Sequence, residues 1–578
     1  MHTETKSCQN CTQSFQIDSE DFSFYEKIKV PPPTFCPECR MKRRVMWRNE
    51  RTRYKRTCGL CSKNILAIYA PESPYTVYCP ECWRSDGWDA ISYGRDYDFS
   101  KPFFEQFKEL MNVVPRIALN HMNVVSSPFS NQVESGKEVY LAYSIVRSEY
   151  IYYCRNVNDS KQLFDSYDVQ ACEQCFENVT CDKNYGTAFA YFSRSCVDSY
   201  FIFDCANVSH CFLCTNLRNG EYFYKNEKYS KEEYEKIISG YKLDTREGLA
   251  RTKKEFEEMR LNAIHRFAHT INAIDSTGDD IRNCRMVRWG FGSSNCENSK
   301  YFNRCPTIKD TYDAQSLIQG ELCYEFTNGG AVGSQWLRFC MNCLSANSNM
   351  EYSDCCWSAS EAFGSICVRN KKYTILNKEY SKEAFQALVP KIREHMNEMP
   401  YADKKGNIYR YGEFFPAELS TFAYNESTIL EYYPISKSEA EREGHRWRER
   451  EQREYAVTLK PEQVPDLADA TESITKEVIA CENKGKEETL CATAFRILPE
   501  EFEMYKKFKL ALPTKCPNCR YFERATVKNP LTLCHRSCMC TEESHEHGAS
   551  CLNEFETSYS PERKERVYCE QCYQKSVL

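Results

Sequence analysis

Residues 200–212 read Tyr200-Phe-Ile-Phe-Asp-Cys205-Ala-Asn-Val-Ser-His-Cys211-Phe212. Apolar side chains alternate over short stretches, with Asn, Asp and Ser between them. Alternation predicts strands, and the polar residues predict tight turns. Working outward, Tyr150, Phe164, Phe176, Ala188, Tyr200 and Phe212 are spaced by 14 and then repeatedly by 12 residues. Farther on, Trp289, Tyr301, Tyr312, Tyr324 and Trp336 keep spacings of 11 or 12, and Cys343, Cys355 and Cys367 are 12 apart. Such a repeat predicts a β-solenoid with one coil per 12 or per 24 residues. An antiparallel meander would give the same spacing. Equivalent side chains of stacked coils form internal ladders, and Cys is small and apolar enough to fill them.

The pattern occurs twice. Leu217-Arg-Asn through Tyr229-Ser-Lys-Glu232 aligns with Val368-Arg-Asn through Tyr380-Ser-Lys-Glu383 at an offset of 151, which also carries Cys154 to Cys305, Cys172 to Cys323 and Cys205 to Cys356. Each block ends in a helix. Ser230 and Glu233 form a capping box, and Ser381 is the second N-cap. A further helix, from Ser100 through Phe103, Phe104, Phe107, Leu110 and Met111 to Val114, is expected between the N-terminal modules and the first block.

At 578 residues the chain exceeds one hydrophobic core. Its 72 Tyr and Phe exclude wholesale disorder. No apolar run reaches the ~18 residues of a membrane span. Met1-His-Thr-Glu-Thr-Lys-Ser-Cys8 lacks the apolar core of a signal peptide. A cytoplasmic location is therefore expected, in which most of the 35 cysteines stay reduced or bind metal.

Four Cys-x-x-Cys pairs occupy the first 82 residues. Two such pairs close one tetrahedral shell, so Cys8, Cys11, Cys36 and Cys39 are expected to hold one zinc ion, and Cys58, Cys61, Cys79 and Cys82 a second. Redox dithiols and iron–sulfur clusters are the alternatives. The unit recurs at the other end: Phe15 to Cys36-Pro-Glu-Cys39-Arg40 matches Phe495 to Cys516-Pro-Asn-Cys519-Arg520 at an offset of 480, and Cys61 to Cys79 matches Cys551 to Cys569 at 490. Site three is then Cys481, Cys491, Cys516 and Cys519, and site four Cys538, Cys551, Cys569 and Cys572. Cys540 could replace Cys551, and Cys534, His535, His545 and His547 could form an extra site or a solvated loop. Four structural zinc ions are predicted.

The sharpest candidate contact is Arg40-Met-Lys-Arg-Arg-Val-Met-Trp-Arg-Asn-Glu-Arg-Thr-Arg-Tyr-Lys-Arg56, with nine basic residues and one acid. Arg40, Lys42, Arg43, Arg44, Arg48, Arg51, Arg53, Lys55 and Arg56 would meet phosphates, and Trp47 and Tyr54 would stack on bases, most naturally in RNA or a ribonucleoprotein. The alternative is a solvated basic helix, or one paired with the chain's own acidic surface, since the net charge is −6. The C-terminal copy keeps only Arg520, Arg524, Lys528 and Arg536 in the matching window. No nucleophile–base constellation, Walker loop or nucleophile elbow is present, so no catalytic residue or small-molecule substrate is assigned. A scaffold binding a protein on its aromatic repeat faces is the second function class, and metal storage or redox buffering the third.

The run from Phe22 through Tyr25-Glu-Lys-Ile-Lys-Val-Pro-Pro-Pro-Thr-Phe-Cys-Pro-Glu-Cys-Arg40 and Arg48-Asn-Glu-Arg51, then Tyr78-Cys-Pro-Glu-Cys-Trp83 and Tyr93-Gly-Arg-Asp-Tyr-Asp-Phe99, resembles a family of uncharacterised zinc-ribbon proteins with Cys- and Tyr-rich repeats from reduced-genome uncultured bacteria. The resemblance implies zinc sites and repeats but no activity. The expected order is mainly β: tandem zinc ribbons or treble-clef-like fingers at 1–95, a connecting helix at 96–118, solenoid-like block A at 119–268, block B at 269–400, a partly helical linker at 401–475, and a second ribbon pair at 476–578.

Overall fold

The computed structural model describes residues 3–329, 333–450, 454–545 and 547–577. The chain is mainly β and divides into two units that do not follow chain order. One comprises Met1–Leu119, Ala268–Arg448 and Leu531–Leu533, and the other Asn120–Phe267, Glu449–Pro530 and Cys534–Leu578. The N-terminal cysteine modules thus share a unit with block B, and the C-terminal modules share one with block A.

Each block is a closed, barrel-like sheet of parallel strands. In block A, Asn131 pairs with Tyr143, Tyr143 with Arg155, Arg155 with Tyr167 and Tyr167 with Val179, always 12 residues on and always parallel. Parallel pairing at that offset excludes the meander, whose neighbours would be antiparallel, and sets the period at 12 rather than 24. The aromatic ladder runs in register as Tyr152, Phe164, Phe176, Ala188, Tyr200, Phe212 and Tyr224. The rung before Phe164 is Tyr152, not Tyr150, and Tyr140 precedes it in the same register. Block B is less regular: Tyr312 pairs with Tyr324, but Tyr324 pairs with Arg338, so Trp336 is not the next rung.

The turns come from backbone dihedrals. From Gln132 to Lys225 every third residue has a φ between +43° and +64°, which gives four left-handed corners per 12-residue coil. Only Gly186 among them lacks a side chain. Left-handed backbone crowds Cβ and is worst for β-branched residues, and Thr180 is the single β-branched occupant.

Inside the coil, small polar side chains complete the backbone hydrogen bonding. Ser148 Oγ accepts from the Ser160 amide at 3.1 Å, Ser160 Oγ from Cys172 at 3.1 Å, Cys172 Sγ from Asn184 at 3.4 Å, and Asn184 Oδ1 from Cys196 at 3.0 Å. Each serves the amide one coil ahead. Ser160 and Cys172 also donate to the carbonyl two residues back. The duplicated cysteines keep this role: Cys154 Sγ accepts from Ser166, and Cys305 Sγ from Leu317. All 17 repeat cysteines are buried thiols. Burial pushes Cys154, Cys196, Cys305 and Cys323 up to about 12, which keeps them protonated and inert.

The capping box of Ser230 and Glu233 starts helix Lys231–Ser239, and Ser381 caps Lys382–Glu398 through the Ala384 amide. Helix Phe103–Val113 packs on block B, contrary to the block A placement. Phe103 meets Tyr352 and Phe363 edge-on, and Phe107 lies 4.7 Å from Phe415. Residues 401–448 are likewise core: Tyr409, Phe414, Phe415, Phe422 and Leu430 are buried in the first unit. No helix among the described residues is long and apolar enough to cross a membrane.

Candidate metal centres

The four expected cysteine groups each converge: Cys8, Cys11, Cys36 and Cys39; Cys58, Cys61, Cys79 and Cys82; Cys481, Cys491, Cys516 and Cys519; and Cys538, Cys551, Cys569 and Cys572, with the sulfurs of each group within 4.8 Å of one another. Cys11–Cys36, Cys61–Cys79, Cys481–Cys519, Cys491–Cys516 and Cys551–Cys569 lie 3.7–4.0 Å apart. A disulfide needs about 2.05 Å. The edge of a sulfur tetrahedron around an ion at about 2.3 Å is about 3.8 Å. The spacing fits a shared cation, and every position is cysteine, so four sulfurs would close the shell.

One backbone device recurs in all four modules. The amide of the cysteine that opens the second ligand pair donates to the first cysteine: Cys36 to Cys8 at 3.2 Å, Cys79 to Cys58 at 3.3 Å, Cys516 to Cys481 at 3.2 Å and Cys569 to Cys538 at 3.2 Å. Such donors stabilise thiolate and orient the ligand. At Cys58 burial raises the pKa, but the amides of Cys61, Cys79 and Leu60 outweigh it and bring the thiol down to about 6. Pro37, Pro80 and Pro517 each occupy the first turn of the helix that follows, where the missing N–H costs nothing. The fourth group takes Cys551 rather than Cys540. Cys534 and His535 stand outside the groups, and His535 bridges Glu554 and Glu556 on the surface.

The structure places the basic segment inside the first unit. Arg40, Arg43, Arg44, Trp47 and Arg48 are at most 4% exposed. Arg40 Nε donates to Asp313 Oδ2 at 3.0 Å, and Arg44 Nη1 reaches Asp313 Oδ1 at 2.9 Å. Arg43 spans Glu325 at 2.6 Å and Glu413 at 2.9 Å with its guanidinium 4.3 Å over Phe35. Arg48 pairs with Glu50 and Ser316. Arg51 faces Glu431 at 3.9 Å, Tyr54 donates to Glu426, and Arg56 holds the carbonyls of Ala70 and Tyr75. Lys42 pairs with Glu38 at 2.7 Å, and Arg53 is half-buried. Of the eleven residues only Lys55 is largely exposed. Most of the segment's charges are taken up by the chain's own carboxylates and carbonyls, and few of them face solvent.

The C-terminal copy repeats this with fewer charges. Arg520 meets Asp165 at 3.1 Å and Glu501 at 2.9 Å, Arg524 meets Asp165 at 2.6 Å, and Lys528 pairs with Asp168. Asp313 and Asp165 are both buried and both sit at left-handed corners of their blocks. A carboxylate at such a corner facing an arginine pair spaced i, i+4 is a docking lock that single-residue patterns do not announce. The aromatic ladders are covered in the same way: Tyr505 and Phe508 pack on Phe176, Phe256 on Tyr191, and Phe24 stacks on Tyr312 at 3.8 Å.

No family model matches the chain, and no curated protein matches it. Among solved structures, a "putative acetyltransferase" from Desulfovibrio desulfuricans G20 is similar at 7% identity, over 50% of this chain and 74% of that one, with a TM-score of 0.10; a likeness at that level carries no argument about fold or function.

Proposed function

We propose that the chain is a zinc-stabilised, non-enzymatic scaffold that binds a protein partner on the open faces of its two blocks. In this reading the modules are zinc ribbons or treble-clef-like fingers, the blocks are β-solenoids, and four zinc ions fill the four all-cysteine tetrahedra. Zinc suits a closed thiolate tetrahedron, and apparent binding energies of roughly 10–16 kcal/mol supply the stability that such short modules cannot draw from a core. Thiols that stay unbridged accord with a reducing cytoplasm.

One observation carries the choice of partner. Both surfaces that composition offers, the arginines of 40–56 and the aromatic ladders, are largely consumed within their own units. What stays open is mixed. On block A, Tyr185 and Val197 bridge on successive coils and are 43% and 38% exposed, with Lys161, Glu173, Lys183, Arg194 and Asp198 exposed around them. Ile274, Met286 and Trp289 are exposed on block B. Apolar anchors among charges of both signs suit a protein surface better than a phosphate backbone.

A photo-crosslinker placed at Tyr185, at Trp289 or at Lys55 of the full chain tests this. Protein adducts at the first two positions that persist in high salt are expected. Nucleic-acid adducts at Lys55 that fall steeply with salt would restore the nucleic-acid reading.

A further inference from the structure

Beside the fourth cysteine group lies a second set of donors. The ligand atoms of Cys540, His545, His547 and Cys572 are all within 4.8 Å of one another. Cys540 is fully buried, and its Sγ is 3.0 Å from His545 Nδ1. Both ring nitrogens of His547 are buried without a hydrogen-bond partner. A neutral imidazole has one donor and one acceptor nitrogen, and leaving both dry and unpaired is costly. A metal ion on one of them removes much of that cost.

Cys572 belongs to both sets. We propose that the C-terminal module holds a binuclear centre in which Cys572 bridges the ion of the four-cysteine site and a second divalent d¹⁰ cation bound by Cys540, His545 and His547. A two-sulfur, two-nitrogen tetrahedron is a zinc donor set. Charge favours it: four thiolates around one dication leave two excess negative charges, whereas a second dication with one added thiolate leaves one.

The chain between the ligands gives the second argument. Cys58 and Cys61 form a tight turn, whereas their counterparts Cys538 and Cys551 enclose ten extra residues. A longer loop adds closure entropy and offers little apolar area to offset it. Three of the four ligands of the second ion, Cys540, His545 and His547, lie within that loop, so the ion pins the insertion to the helix that carries Cys572. The N-terminal copy has neither the insertion nor these histidines.

The inference rests on the metal-bound reading of the cysteine modules, and metal counting separates the two. Elemental analysis of the full chain purified without added metal should give five zinc ions per chain, falling to four in His545→Ala/His547→Ala and staying at five in His535→Ala. Four ions in the wild type, unchanged in the double variant, would overturn the bridged centre and leave the four sites standing; fewer than four would overturn both. A readout that needs no variant is cobalt(II) substitution. Two high-spin ions sharing a thiolate couple antiferromagnetically, so the paramagnetic resonance signal should account for three of the five ions, and a signal from every bound ion would sink the bridge.

Discussion

The helix after the first cysteine group and the helix after the third make an instructive pair. Pro37–Val45 carries Arg40, Arg43 and Arg44 into a nest of Asp313, Glu325 and Glu413, while Pro517–Ala525 brings only Arg520 and Arg524 to Asp165 and Glu501. Both perform one task, which is to lock a cysteine module onto a coiled block of its own unit. They differ in how many carboxylates the block buries. Local basicity here tracks the acidity of an internal partner.

The largest test of the comparison is metal removal. A strong chelator should unfold both pairs of modules and free both arginine locks, with losses on the order of 10 kcal/mol per site. Hydrogen exchange should then deprotect helices Pro37–Val45 and Pro517–Ala525 together. Protection of either helix without metal would mean that the lock alone suffices there.

Next come the aspartates. Asp313→Ala strands Arg40 and leaves Arg44 on Glu325 alone, Asp165→Ala strands Arg524 and leaves Arg520 on Glu501 alone, and each should destabilise its own unit by about 3–5 kcal/mol in denaturant titrations. Arg43→Glu with Arg44→Glu should loosen the first unit by a similar amount rather than only alter what it binds. A fully stable double variant would place those side chains in solvent after all.

The ladder cysteines give a smaller effect. Cys172→Ala leaves the Asn184 amide without its acceptor and should cost about 1–3 kcal/mol, whereas Cys172→Ser keeps the acceptor and should recover most of it. Equal loss in the two would show that apolar filling matters more than hydrogen bonding.

The smallest expected effect is a pH dependence in the first unit. Burial, helped by the charges of Lys405 and Lys42, pushes His445 down to about 4 from an ordinary 6.5. The unfolded chain therefore binds a proton over that window and the folded one does not, so stability falls as pH drops, by about 1 kcal/mol between pH 6.5 and 5.5. His445→Gln should flatten that slope.

How much of this was legible depended on range. The 12-residue period, the two-fold duplication and the ligand spacing are local and repeat, so they show in one sequence. The interior role of cysteine was half visible. Small size and low polarity predicted burial, but not that Cys alternates with Ser and Asn because each must accept an amide proton from the next coil. The left-handed corners leave a readable trace, since β-branched residues are nearly excluded from every third position of 132–225. The docking was hidden. Arg44 and Asp313 are 269 residues apart, and nothing near either one names the other. The swap that pairs the N-terminal modules with block B has the same cause: chain order is a poor guide where the partners lie hundreds of residues apart.

That separation has a temporal side. Each coil of block A needs only the preceding dozen residues, so it can form as it leaves the ribosome. The N-terminal modules emerge first but must wait for Asp313 and Glu325, which at ordinary synthesis rates takes on the order of 15–50 s. During that interval the arginine lock is not yet available, and a metal ion held by the proposed sites would have to keep the nascent modules folded. Metal supply during translation would then govern the yield of the first unit, whose lock closes late, more than that of the second, whose block is already complete when its own modules emerge.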